Sequence, residues 1–259
     1  MPYKKGSMRG KAFQKSVKAI VRDEIQTELE NKVGVIGLTD SNIDTAAIPT
    51  GDVAASSNFI KLMPLISQGT GQYNQRMGNE IRLKSLNIKM LFNSVLANAS
   101  TTALADAGLG VRVMILRQKD QNSQLGVIED FQGNKLMENG SITAPGPASF
   151  DGTTWNLVQK INREQFSVRY DKVFYIDNPF KQGTGGNAVQ FPTKTRIMEH
   201  TLKFGKQGLK LTFGDGASEN PTNFPYIMVV GYASTTALGV PSNNLIRYSY
   251  SATANYTDA

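Results

Sequence analysis

Polar and apolar residues alternate along Ile81-Arg82-Leu83-Lys84-Ser85-Leu86-Asn87-Ile88-Lys89-Met90 with one interruption, the period of a strand that turns one face to a core. The same two-residue period recurs in Tyr248-Ser249-Tyr250-Ser251-Ala252-Thr253. Together with runs of β-branched and aromatic residues, it predicts strands over 58–63, 80–92, 110–117, 165–176, 196–204, 209–213, 226–233 and 245–256. The run Ile227-Met228-Val229-Val230-Gly231-Tyr232-Ala233 reads as a buried strand and is far too short to span a bilayer. Gly-, Pro- and Asn-rich connections fall at 69–78, 145–152, 182–187 and 214–225. The stretch 118–159 is long and weakly patterned; a short helix is expected within 127–137, and Trp155 is expected to pin the return of this loop to the core. About eight strands, almost no helix in the body and no internal repeat indicate an all-β chain: a β-sandwich, with an eight-stranded single jelly roll as the leading topology.

The period changes toward the N-terminus. Phe13, Val17, Ile20, Val21, Ile25 and Leu29 recur at spacings of three and four, while Lys11, Lys15, Lys18 and Arg22 form a second stripe, so an amphipathic helix is expected over about 11–32. Residues 1–10 are polar and broken by Pro2, Gly6 and Gly10. Residues 33–57, rich in Gly, Thr, Asp, Ala and Ser with Pro49 and Gly51, read as a linker or a surface-hugging arm. The expected organisation is an N-terminal arm over 1–32, the linker, and a β domain over 58–257.

Charge sharpens this division. The chain of 259 residues carries a formal net charge of +7. Residues 1–22 contain Lys4, Lys5, Arg9, Lys11, Lys15, Lys18 and Arg22 and no acid. Taking these seven from the 28 basic residues leaves 21 against 21 acidic ones, so the body is neutral and the arm carries the whole excess. A cationic tail on a neutral body points to a polyanionic partner. Nucleic acid is favoured over an anionic membrane because the apolar stripe has no Trp and is needed in part for packing the helix. These seven residues are therefore the candidate nucleic-acid-binding set, making phosphate contacts that read no sequence and weaken with salt. The acids Asp23, Glu24, Glu28 and Glu30 sit toward the helix C-terminus, where the macrodipole disfavours them, so a basic neighbour outside the helix is expected.

Little else suggests chemistry. There is no cysteine and a single histidine, His200, which excludes thiolate or histidine-cluster metal sites. His200 lies in a strand pattern with no nucleophile or carboxylate partner indicated, and reads as structural or interfacial. Gly69-Thr70-Gly71 and Gly183-Thr184-Gly185-Gly186 lack phosphate-loop spacing and read as turns. No catalytic residue, metal or cofactor is expected, and the chain does not read as an enzyme. The strand aromatics Phe166, Tyr170, Phe174, Tyr175, Tyr226, Tyr232, Tyr248, Tyr250 and Tyr256 suit core and interface packing better than a base-stacking platform.

One segment carries a resemblance. Leu62-Met63-Pro64-Leu65-Ile66-Ser67-Gln68-Gly69-Thr70-Gly71-Gln72-Tyr73-Asn74-Gln75-Arg76-Met77-Gly78-Asn79-Glu80-Ile81, running on into Leu83-Lys84-Ser85-Leu86, resembles the start of coat proteins of small circular, replication-protein-encoding single-stranded DNA viruses (CRESS-DNA viruses). Val111 to Gln121, ending in the polar Gln118-Lys119-Asp120-Gln121, is similar to their next strand. The resemblance implies a jelly roll that assembles into an icosahedral shell of sixty copies or a multiple. It also implies an inward arm packaging a single-stranded genome, and a place in the virion, with the host nucleus open as a site of assembly. No membrane is expected as partner, and the host receptor is not indicated. Arms in that group are commonly longer and Arg-rich, whereas this one is short and Lys-heavy. Sixty arms of +7 supply about +420, short of a genome of thousands of phosphates, so a further basic surface is required. The alternatives are the capsid of a small single-stranded RNA virus, a non-viral single-strand-binding module with a cationic tail, and a jelly-roll carbohydrate-binding domain.

Overall fold

A computed structural model describes residues 13–18, 20, 31–95, 106, 108–140, 146–177, 181–182, 189–190, 195–215, 217–236 and 239–258. Its strands are β1 (Lys32–Asn42), β2 (Phe59–Lys61), β3 (Glu80–Ser94), β4 (Gly108–Gln118), β5 (Met137–Asn139), β6 (Gly146–Ala148), β7 (Phe166–Asp177), β8 (Lys181–Gln182), β9 (Val189–Gln190), β10 (Thr195–Lys203), β11 (Leu209–Thr212), β12 (Tyr226–Ser234) and β13 (Ile246–Asp258). One sheet runs β1-β13-β3-β10 with β11 also on β3, and a second runs β2-β12-β4-β7; β5-β6 and β8-β9 are small hairpins outside them.

Since β10 and β11 pair end to end with β3, they fill one strand position. The two sheets then hold eight positions, joined as nested antiparallel pairs: first with last (β1 with β13), second with seventh (β2 with β12), third with sixth (β3 with β10 and β11) and fourth with fifth (β4 with β7). Such a nested double ribbon, wrapped so that alternate pairs fall in opposite sheets, is a jelly roll. The sandwich fold expected from the alternation is the fold observed, but the eight-strand list differs in composition. It gains β1 and counts β10 and β11 as one.

Alternation in β3 places Ile81, Leu83, Leu86, Ile88, Met90 and Phe92 in the main core between the sheets. β4 and β12 are buried on both faces, which is why they read as continuous apolar runs. Val111, Val113, Ile115, Met228 and Val230 face the main core. Met114, Leu116, Ile227 and Val229 face a second cluster on the outer side of the four-stranded sheet, with Ile48, Phe59, Val127, Phe131, Phe150 and Phe166. That second core is roofed by two segments without strand period, 43–57 and 119–165. Close approach there demands glycine: a Cβ on Gly133 would run into the backbone carbonyl of Pro49.

Four expectations are corrected. Residues 33–57 are not a free linker: Lys32–Asn42 is a full strand on β13, and Ile43, Ile48 and Val53 donate to the carbonyls of Ile246, Phe150 and Ile128. The helix expected over about 11–32 is seen at 13–18 and 20 and does not reach Lys32, which is already in β1; residues 19 and 21–30 lie outside those described. In the long loop the helix forms at Gln124–Glu129, capped by Ser123, starting three residues earlier than expected and overlapping the expected window, inside which Gly133–Lys135 adds a 3-10 turn. Nor does Trp155 pin the loop, since it is 57% exposed. Arg112 does so from β4. Its guanidinium donates to both Asp171 oxygens (2.8 and 2.7 Å) and to the carbonyls of Asn156 (2.5 Å) and Gln159 (2.7 Å).

Candidate nucleic-acid interface

Of the candidate phosphate-binding residues, Lys15 and Lys18 lie on the helical stretch 13–18 and are exposed. Lys4, Lys5, Arg9, Lys11 and Arg22 fall outside the described residues. On the same helical stretch Phe13, Val17 and Ile20 are 69%, 40% and 59% exposed, so an apolar stripe lies beside the cations that none of the described residues covers.

The arm enters the body at Lys32, whose charge sequence counting assigns to a neutral body. Lys32 is 5% exposed. Its ammonium donates to Asp258 at 2.6 Å and to the Gln75 carbonyl at 2.8 Å. The Met77 N–H donates to the other Asp258 oxygen at 3.3 Å, and the Tyr256 hydroxyl to the Asn74 carbonyl at 2.7 Å. The first residue of β1, the end of β13 and the loop 67–79 thus close into one knot. That loop is the segment that carries the resemblance, and its conspicuous residues are structural. Arg76 is fully buried, stacked over Phe213 at 4.4 Å. It donates to the carbonyls of Gly78 and Ser218 (2.8 Å for the latter) and to Asn79. Gln75 accepts from the N–H groups of Gly71 and Gln72 at 3.0 and 3.1 Å, closing the Gly-rich turn on itself. Gly69-Thr70-Gly71 is a turn, as its spacing indicates.

His200 stacks on Tyr170 of the facing sheet with centroids 4.5 Å apart, and burial lowers its pKa. Its contribution to stability is therefore complete above the unfolded histidine pKa and declines as pH falls through it. Among the described residues no group of His, Asp or Glu could hold a metal ion.

Burial raises the hydroxyls of Tyr232, Tyr250 and Tyr256 to a pKa of about 12. Each donates to a carbonyl: Ser242 at 2.8 Å, Lys61 at 3.1 Å and Asn74 at 2.7 Å. A raised folded pKa means stability that is full below the unfolded value and lost as pH climbs toward the folded one. Stability should therefore fall between about pH 10 and 12, and near-ultraviolet absorbance should show a late-ionising tyrosine class that merges with the exposed class on unfolding. Titration of all tyrosines as one ordinary class would contradict this.

No protein-family model matches the chain, and no curated protein matches it in sequence. Among solved structures, the 60-mer BFDV capsid protein is similar at 10% identity and a TM-score of 0.25, over 87% of this chain and 88% of its own. Merkel cell polyomavirus VP1, solved in complex with GD1a oligosaccharide, is similar at 7% identity and a TM-score of 0.19, over 88% and 96%. These neighbours are viral capsid proteins. Likenesses this distant carry no argument; the jelly roll rests on strand order and register alone.

Proposed function

We propose that the chain is the capsid protein of a small virus: it self-assembles into an icosahedral shell and packages a single-stranded genome through its basic arm. The observation that carries this reading is the separation of charge from fold. A jelly roll with a neutral body holds all of its +7 on an arm whose root is locked to the sheet edge by Lys32 and Asp258. Beside those cations the stripe Phe13, Val17 and Ile20 offers an apolar contact for a neighbouring subunit. Lys4, Lys5, Arg9, Lys11, Lys15, Lys18 and Arg22 neutralise phosphate without reading bases. The product is a virion component with no catalytic step.

The test is direct. The full chain, expressed and purified, should elute as large assemblies and show uniform particles by negative-stain microscopy, with co-purifying nucleic acid. Removing residues 1–22 should strip most of that nucleic acid and leave the melting transition of the body in place. A chain that remains a monomer or small oligomer at every salt concentration sinks the capsid reading and leaves a tailed single-strand-binding module in its place.

A further inference from the structure

We infer that the solvent face of the five-stranded sheet around Arg82, Lys84 and Lys203 is a second, built-in phosphate-binding surface, continuous with the arm, that takes the backbone of single-stranded nucleic acid. This rests on the packaging reading above and extends it from the arm to the fold.

Register brings these residues together. On β3 the side chains that alternate away from the core are Arg82, Lys84 with Ser85, Asn87 and Lys89. Arg82 lies opposite Lys210 of β11, and Ser85 opposite Lys203 of β10. Lys84 is the extra residue of the bulge that shifts the register between Asn255 and Tyr256, so it joins Ser85 on the outer side. The turn between β10 and β11 adds the exposed Lys206, on a backbone with positive φ at Gly205 (77°) and Gly208 (72°). At Gly208 any Cβ would sit 2.8 Å from the Leu83 carbonyl, so the turn is pressed onto β3 and holds its lysine over the sheet. The charged heads are positioned by this turn, as the Arg82 guanidinium donates to the Gln207 carbonyl at 3.5 Å and the Lys84 ammonium to that of Lys206 at 3.4 Å, which leaves their remaining N–H groups for a ligand.

Five cations therefore meet at one end of one sheet face. The carboxylates on that face are already engaged: Glu80 with Lys210, Glu199 with Lys89 and Asp40 with Arg247. Arg82, Lys84 and Lys203 have no carboxylate partner among the described residues. Next to them the face continues as uncharged donors and acceptors in cross-strand pairs, Asn255 with Ser85 and Thr201 with Asn87. Amides, hydroxyls and cations in this mixture make the sugar–phosphate contacts that position a nucleic-acid strand.

Placement selects nucleic acid over another polyanion. Lys32 pairs with Tyr256, Tyr256 with Leu83 and Leu83 with Leu209. The arm root and the cluster thus share one transverse row, and β1 lies only about 10 Å from β3. A nucleic-acid strand held at the arm root is within reach of the cluster, and the three sheet cations without a carboxylate partner add to the seven of the arm.

The test compares the full chain with its Arg82→Gln/Lys84→Gln/Lys203→Gln variant, using a fluorescent oligothymidylate of about twenty nucleotides and anisotropy across a salt series. Three lost phosphate contacts should reduce the slope of log affinity against log salt by about 2 units. An unchanged slope overturns the inference, as does a variant that loses heparin binding while keeping its oligonucleotide slope. Should the triple variant melt early, Lys203→Glu alone, at an exposed strand end, must still lower the slope. Particle formation is scored separately. Particles with an unchanged slope sink this inference alone, whereas a reduced slope without particles supports it and sinks the capsid reading.

Discussion

Arg112→Ala should destabilise the body by about 3–5 kcal/mol, lowering the melting temperature by about 10 °C. Arg112 is 4% exposed and sits under the 154–160 turn. Alanine there leaves the Asp171 carboxylate without its bidentate partner and orphans the carbonyls of Asn156 and Gln159. Uncompensated polar groups dominate the loss, more than the missing attraction does. A double-mutant cycle separates the two. Arg112→Met with Asp171→Leu, which removes both charges and restores apolar volume, should recover part of what Arg112→Ala loses. The loss should be regional as well, with the 119–165 roof exchanging amide hydrogens faster than β3 or β13. A melting shift under about 3 °C would show that the roof is held by its apolar contacts and not by this arginine.

Arg76→Ala should cost a similar amount, about 3–5 kcal/mol, and its effect should travel to the arm. The fully buried guanidinium holds loop 67–79 against the 213–219 turn, and that loop supplies the Gln75 carbonyl and the Met77 N–H to the Lys32–Asp258 pair. With the loop loosened, limited proteolysis near Lys32 should accelerate well before the body unfolds. Arg76→Lys should rescue little, because a single ammonium cannot span carbonyls on both sides while stacking flat on Phe213. Equal cleavage rates near Lys32 in Arg76→Ala and the parent chain would show that the root is held independently of the loop.

The parts of this fold legible in the sequence are those with one face in a core. β3 and β13 alternate because the inter-sheet core demands it at every second residue, and β4 and β12 betray double burial by unbroken apolar runs. β1 was illegible for the complementary reason. It is an edge strand whose burial fades after Gly34, so Gly37, Thr39, Asp40 and Ser41 meet no core requirement and read as linker. The roof over the second core was illegible because its anchors are scattered: Ile48, Phe131 and Phe150 arrive from turns, with no period to reveal them. Trp155 misled through size, since the aromatic is outside and a charged side chain rising from the sheet does the holding. In the candidate site the charge asymmetry of the arm was plain by counting. Arg76 and Lys32 were not, because a buried, hydrogen-bonded cation differs from a surface one only in three dimensions.

The nested pairing has a consequence in time. The lock on the arm joins Lys32 to Asp258, partners 226 positions apart in the chain. Contacts of that span close late, after the loops between them have been organised at an entropic cost. During synthesis the N-terminal cations therefore emerge first and are fastened last, and β1 waits for a strand the ribosome has yet to complete. A nascent chain is an untethered polycation on an unfinished sheet; only the finished one presents its arm from a fixed point. Completion of the fold thus sets the moment at which the arm acquires a fixed origin and a direction.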